Sequence, residues 1–92
     1  MALTFEWDDA KDLANRKKHG IGFDEAKTVF GDPLSITIDD EAHSHDEERF
    51  IDIGMSARGR LIVVCYTERE PNIRIISCRK ATKTERKAYE QT

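Results

Sequence analysis

Apolar residues along this chain fall in short periodic runs separated by polar punctuation. The longest patterned stretch, Glu48 to Arg79, reads ERFIDIGMSARGRLIVVCYTEREPNIRIISCR. Three runs rich in Ile, Val, Tyr and Thr are split there by Arg58-Gly59 and by Glu70-Pro71-Asn72. β-Branched and aromatic runs bounded by Gly, Pro and Asn predict strands joined by hairpins, so this stretch predicts an antiparallel meander of three strands.

The flanking segments are read the same way. Leu3 to Trp7 alternates and suits an edge strand. Asp8-Asp9 offers an N-cap with acid in the first turn, and Ala10, Leu13, Ala14 and Lys17 recur at helical spacing. A helix from about Asp9 to Lys18 follows, stopped by Gly20. Phe23-Asp24 opens a second helix, with Asp24 as cap and Ala26, Val29 and Phe30 as its apolar stripe. Gly31-Asp32-Pro33 ends it. Leu34 to Ile38 predicts a strand with Leu34, Ile36 and Ile38 inward, and Asp39 to Glu48 a solvated acidic loop. Thr82 with Glu85 three residues later is a capping box, starting a terminal helix over about Lys83 to Glu90. So short a helix must dock to persist. The order β-α-α-β-β-β-β-α predicts one α+β domain over residues 1–92. It is read as two layers, with helices on one face of a mostly antiparallel sheet.

Composition narrows the class. Apolar residues make up 38% and charged residues 36% of the 92 positions, polar for a globular domain but clustered enough for one modest core. No long apolar run and no signal-peptide pattern is visible, so a cytoplasmic protein without membrane association is expected. Cys65 and Cys78 sit inside strands and are expected to stay reduced and packed.

The net charge of −3 argues against duplex DNA as a direct ligand, because that affinity scales with phosphates neutralised. The charge is unevenly spread. Residues 1–48 carry 5 Lys/Arg and 13 Asp/Glu, net −8, while residues 49–92 carry 10 and 5, net +5. This permits a locally positive face. The cationic run Arg16-Lys17-Lys18-His19 suits a helix C-terminus. It also offers Lys18 as a phosphate contact and His19 as a proton-transfer group. His43 and His45 with Asp40 and Asp46 have metal-ligand chemistry, but H-x-H in a loop fixes no geometry, and no metal or other cofactor is expected.

Several stretches together match one family. FEWD (5–8), NRKKHGI (15–21), FDEA (23–26), VFGDP (29–33), HS (43–44), ERFIDIG (48–54), GRLIVV (59–64), RIISCR (74–79) and ERKAYE (85–90) resemble the BrnT family, in order and at its spacing. One departure is Cys78, where Ala is usual. The resemblance implies a fold like that of RelE-type ribonuclease toxins. It further implies the toxin half of a type II toxin–antitoxin pair, with a BrnA-like antitoxin whose DNA-binding region carries the complex to its operator.

RNA cleavage through the internal 2′-hydroxyl needs a base, a charge clamp on the phosphorane and an acid for the 5′-oxygen. Arginine suits the clamp, since its planar fork fits two phosphate oxygens. Arg60 and Arg79 flank the most family-like motifs and are the first candidates, with Arg69 third. The plain alternative for each is an ion pair with Asp or Glu. His19, Glu48 and Glu68 have the tunable pKa that an acid or base requires. Lys18, Arg49, Arg74 and Tyr89 are candidates for RNA binding, Tyr89 by stacking on a base, although it also suits an anchor for the last helix. Strand alternation places Arg60 and Arg69 on opposite faces, Arg79 with Ile73, Ile75 and Ser77, and Arg74 with Ile76 and Cys78. The expected activity is metal-independent RNA cleavage that blocks translation. The alternative is a non-catalytic module that co-represses its operon through the antitoxin.

Overall fold

The computed structural model describes residues 3–43 and 45–91. Its elements are β1 (Thr4–Glu6), α1 (Asp9–His19), α2 (Phe23–Ala26), β2 (Ile36–Asp39), β3 (Arg49–Met55), β4 (Leu61–Arg69), β5 (Asn72–Lys80) and α3 (Lys83–Glu90). Short 3-10 turns follow α2, at Lys27–Gly31, and β2, at Glu41–His43. The element order and the α+β class are those the sequence predicts.

Local chemistry accounts for the helix ends. Asp8 Oδ1 accepts from the amides of Ala10 (2.8 Å) and Lys11 (3.1 Å), capping α1. Gly20, at φ +72°, closes the helix through its amide to Arg16 O. Thr82 and Glu85 form the capping box of α3. α2 differs from expectation: Gly22 is its N-cap, and Asp24 lies inside its first turn. The segment after Ala26 tightens into a 3-10 turn instead of continuing the helix.

The five strands run in the order β1-β5-β4-β3-β2. β2–β3, β3–β4 and β4–β5 pair antiparallel, and β1 joins β5 in parallel. Gly59, at φ +76°, turns the chain between β3 and β4. The β2 stretch is shorter than predicted. Asp32 Oδ1 accepts from the Leu34 amide at 2.9 Å and holds that residue in a turn. Leu34 is 60% and Ile38 46% exposed, so they do not point into the core. β2 is an edge strand, and little covers it.

Two apolar clusters sandwich the sheet. On one face Ile62, Val64, Ile75 and Cys78 meet Ile21, Phe23, Ala26 and Val29 from the α1–α2 region. Phe5, Trp7 and Phe30 flank them. On the other face Ile53, Leu61 and Val63 pack with Ile51, Met55, Ala81 and Tyr89. α3 thus docks opposite α1 and α2, correcting the expectation that all helices share one face. Its own pattern fixes which stripe it buries but not which side of the sheet receives it.

A β-bulge decides where the arginines of β5 point. Cys65 faces Ser77 but Tyr66 faces Ile75, so Ile76 is the extra residue in β5. Beyond the bulge the alternation changes phase. Arg79 lies opposite Val63 on the α3 face, not with Ile75, and Arg74 lies opposite Thr67, not with Cys78. β4 stays regular, so Arg60 and Arg69 do project to opposite faces.

Candidate active site

The end of α1 is fastened to β5 by a buried asparagine. Asn15 Nδ2 donates to Ile21 O (2.9 Å) and to Cys78 Sγ (3.1 Å), and Asn15 Oδ1 accepts from the Cys78 amide (3.2 Å). This clamp sets His19, the last residue of α1, beside the part of β5 that extends past β1. Burial pushes the Cys78 thiol up to about 12, so it packs as a neutral group.

His19 there joins a groove of about 260 Å³. Arg49, Arg79, Asp40 and His43 line it, over a floor of Ile51, Val63, Cys65 and Ser77. Arg79 reaches it because of the bulge. Its guanidinium is held by α3: Nη1 donates to Glu85 Oε1 (2.7 Å) and Nη2 to Glu85 Oε2 (2.8 Å). That fork holds the Glu85 carboxyl down at about 2 and raises Arg79 further.

The acidic loop contributes the opposite wall. The Asp40 amide donates to Arg49 O at 2.8 Å, fixing the loop to β3. Asp40 is buried, and both its carboxylate oxygens lie 3.0 Å from His43 Nδ1. Residues three apart eclipse on a 3-10 turn, which brings these two side chains together. Cys65 Sγ approaches Asp40 Oδ2 at 3.8 Å. Burial first, then the Asp40 charge, raises that thiol and keeps it protonated.

The other sequence-predicted residues lie elsewhere. Arg60 is on the α2 face, forked onto Glu25: Nε lies 3.0 Å from Oε2, and Nη2 pairs with Oε1. Ser56 Oγ adds a bond to the same carboxylate at 2.7 Å. The Arg60 contact lowers the Glu25 carboxyl despite its burial. Arg69 pairs with Glu47 at 3.5 Å. Glu48 and Glu68 line a separate cleft with Glu47, Phe50 and Thr67, and the Glu48 carbonyl accepts from Thr67 Oγ1. Arg74 pairs with Glu6 at 2.7 Å. Lys18 is exposed beside His19. The Tyr89 hydroxyl donates to Asp32 Oδ2 at 2.7 Å, which anchors α3. Of the ten residues singled out for catalysis or RNA binding, His19, Arg49 and Arg79 therefore share one groove.

Sequence reasoning missed Asn15, and it weighed Asp40 and His43 only as metal ligands, not as a carboxylate–imidazole pair. D-x-x-H within an acidic loop carries a signal only once the 3-10 turn is known. Among the described residues no cluster of three or more His, Cys, Asp or Glu is arranged to hold a metal ion.

Comparison with known proteins agrees with this architecture. A crystal structure of the Brucella abortus ribonuclease toxin BrnT, at 1.1 Å resolution, superposes with a TM-score of 0.69 at 21% identity. The match covers 89% of this chain and all of that one, and shows a common fold. A search of curated proteins found none that matches. The family model described as the ribonuclease toxin BrnT of type II toxin–antitoxin systems matches residues 7–85. The chain belongs to the BrnT family of type II ribonuclease toxins.

Proposed function

We propose that the groove holding His19, Arg49 and Arg79 cleaves RNA by internal attack of the 2′-hydroxyl, without a metal ion. The observation that carries this reading is the convergence of two guanidinium groups and an imidazole on one open groove. Two arginines supply the charge that a phosphorane builds up. The nucleophile belongs to the substrate, so no metal-bound water is required. Lys18, next to His19, extends the positive rim for the RNA backbone. The cleaved RNA is messenger, and the consequence is arrest of translation in the cytoplasm. A BrnA-like antitoxin silences the toxin by covering the arginine-bearing groove, and operator DNA is reached only through that partner.

One observation favours a second reading. Both leading arginines, Arg60 and Arg79, are already forked onto carboxylates. On that reading the chain is a binding module that co-represses with its antitoxin.

Inducing the chain without its antitoxin, beside Arg49→Ala and Arg79→Ala, separates the two. Amino-acid incorporation and new RNA 5′ ends are measured in each culture. Translation arrest with new ends, lost in both variants at equal soluble protein, is expected. Arrest without new ends contradicts a ribonuclease, and no arrest at all supports the binding module.

A further inference from the structure

We propose that His43, oriented by Asp40, is the base that takes the 2′-hydroxyl proton in this groove. The inference rests on the ribonuclease reading above and adds to it a residue with a defined role.

The pair is asymmetric in a way that a surface ion pair is not. The Asp40 side chain is 10% exposed and that of His43 67%. The carboxylate is fixed in place through its own backbone, by the hydrogen bond that its amide donates to Arg49 O. Ionised, it only accepts, so the proton between the two residues sits on His43 Nδ1. The lone pair of the neutral ring is then on Nε2, and most of the ring is open to solvent. A buried carboxylate that sets the tautomer of an open imidazole is the arrangement that general-base catalysis uses.

The charges around His43 suit this role. Arg49 faces it from β3, Arg79 from β5, His19 from the end of α1, and Cys65 from β4 lies under Asp40. A phosphate held by Arg49 and Arg79 brings its 2′-hydroxyl into the same groove. Glu48 and Glu68, the carboxylates singled out from the sequence as acid or base, line a different cleft.

The step balances without a co-reactant. His43 Nε2 takes the 2′ proton, the O2′–P bond forms and the P–O5′ bond breaks. The leaving 5′-oxygen keeps the electron pair and takes a proton from protonated His19. The products are a 2′,3′-cyclic phosphate and a 5′-hydroxyl, and solvent exchange resets both imidazoles. Asp40 acts only through His43 and is a positioning residue.

The test uses the purified full chain and an RNA oligonucleotide under single-turnover conditions across pH. One substrate is ordinary; a second has sulfur in place of the bridging 5′-oxygen, a leaving group that needs no proton. His43→Ala and His43→Gln are expected to lose ~10²–10⁴-fold in rate on both substrates, with the low-pH limb of the profile gone. Added imidazole should restore part of the His43→Ala rate. Asp40→Asn should lower the maximal single-turnover rate with the half-saturating enzyme concentration unchanged. Thermal melts establish that each variant is folded, and His43→Gln decides the matter if His43→Ala is not. Rates within threefold of wild type, or rescue of the His43 variants by the sulfur substrate, overturn the role as base. Absence of cleavage by the wild type overturns this inference and the ribonuclease reading together.

Discussion

Replacing Glu85 by Gln tests how α3 is held and how Arg79 is aimed. Glu85 Oε1 accepts from the Thr82 amide (2.8 Å) and from Arg79 Nη1, and Oε2 accepts from Arg79 Nη2. Glutamine keeps one acceptor oxygen for the cap but turns the other arm into a donor that faces a donor. The carboxyl stands at about 2 against an ordinary 4.5, and a difference of that size corresponds to ~3 kcal/mol as an upper bound. The Arg79 side chain is 42% exposed, so solvent screening reduces this to about 1–2 kcal/mol. For a chain of this size the melting temperature should fall by roughly 4–16 °C at pH 7. The sign with pH follows from a depressed carboxyl. Its contribution is complete above the unfolded value of about 4.5 and is lost as pH falls towards about 2. Melts followed by circular dichroism from pH 2 to 7 should show a gap between wild type and Glu85→Gln that closes at the acid end. A gap of constant width, or none at pH 7, refutes the reasoning.

Other perturbations separate structural groups from catalytic ones. Arg60→Met leaves the buried Glu25 carboxylate with Ser56 and, at 4.0 Å, Arg58. Its melting temperature should drop while the cleavage rate per folded molecule stays within threefold of wild type. Tyr89→Phe removes the bond to Asp32, so it should loosen α3, seen as faster amide exchange there, without changing RNA affinity. Cys78→Ala removes a buried free thiol. It should cost about 1 kcal/mol or less in chemical denaturation, since one small buried group and one hydrogen bond from Asn15 are lost.

Much of the architecture was legible because it is local. The caps at Asp8 and Thr82, the glycine at position 20 and the turns at Arg58-Gly59 and Glu70-Pro71 are short-range signals, and the structure keeps each of them. What was not legible depends on contacts distant in sequence. An extra residue at Ile76 reverses the phase of β5, so Arg79 joins Val63 and the α3 face. α3 settles on that side because Tyr89 meets Asp32, 57 positions away. Leu34 looked like the first residue of a strand, but the Asp32 side chain takes its amide. For the groove, the residue types were readable and their partners were not. Arg60 and Arg79 are alike in the sequence, yet only Arg79 shares a groove with His19 and Arg49. Asp40 and His43 came together only through a 3-10 turn.

The most direct measurement is the chemistry of the ends left by the purified chain on a defined RNA in excess EDTA. A second RNA carries a single 2′-deoxy nucleotide at the cut site. Cleavage should persist in EDTA, leave a 2′,3′-cyclic phosphate and a 5′-hydroxyl, and vanish on the 2′-deoxy substrate. Cleavage of that substrate, 5′-phosphate ends or loss of activity in EDTA would contradict internal attack in this groove.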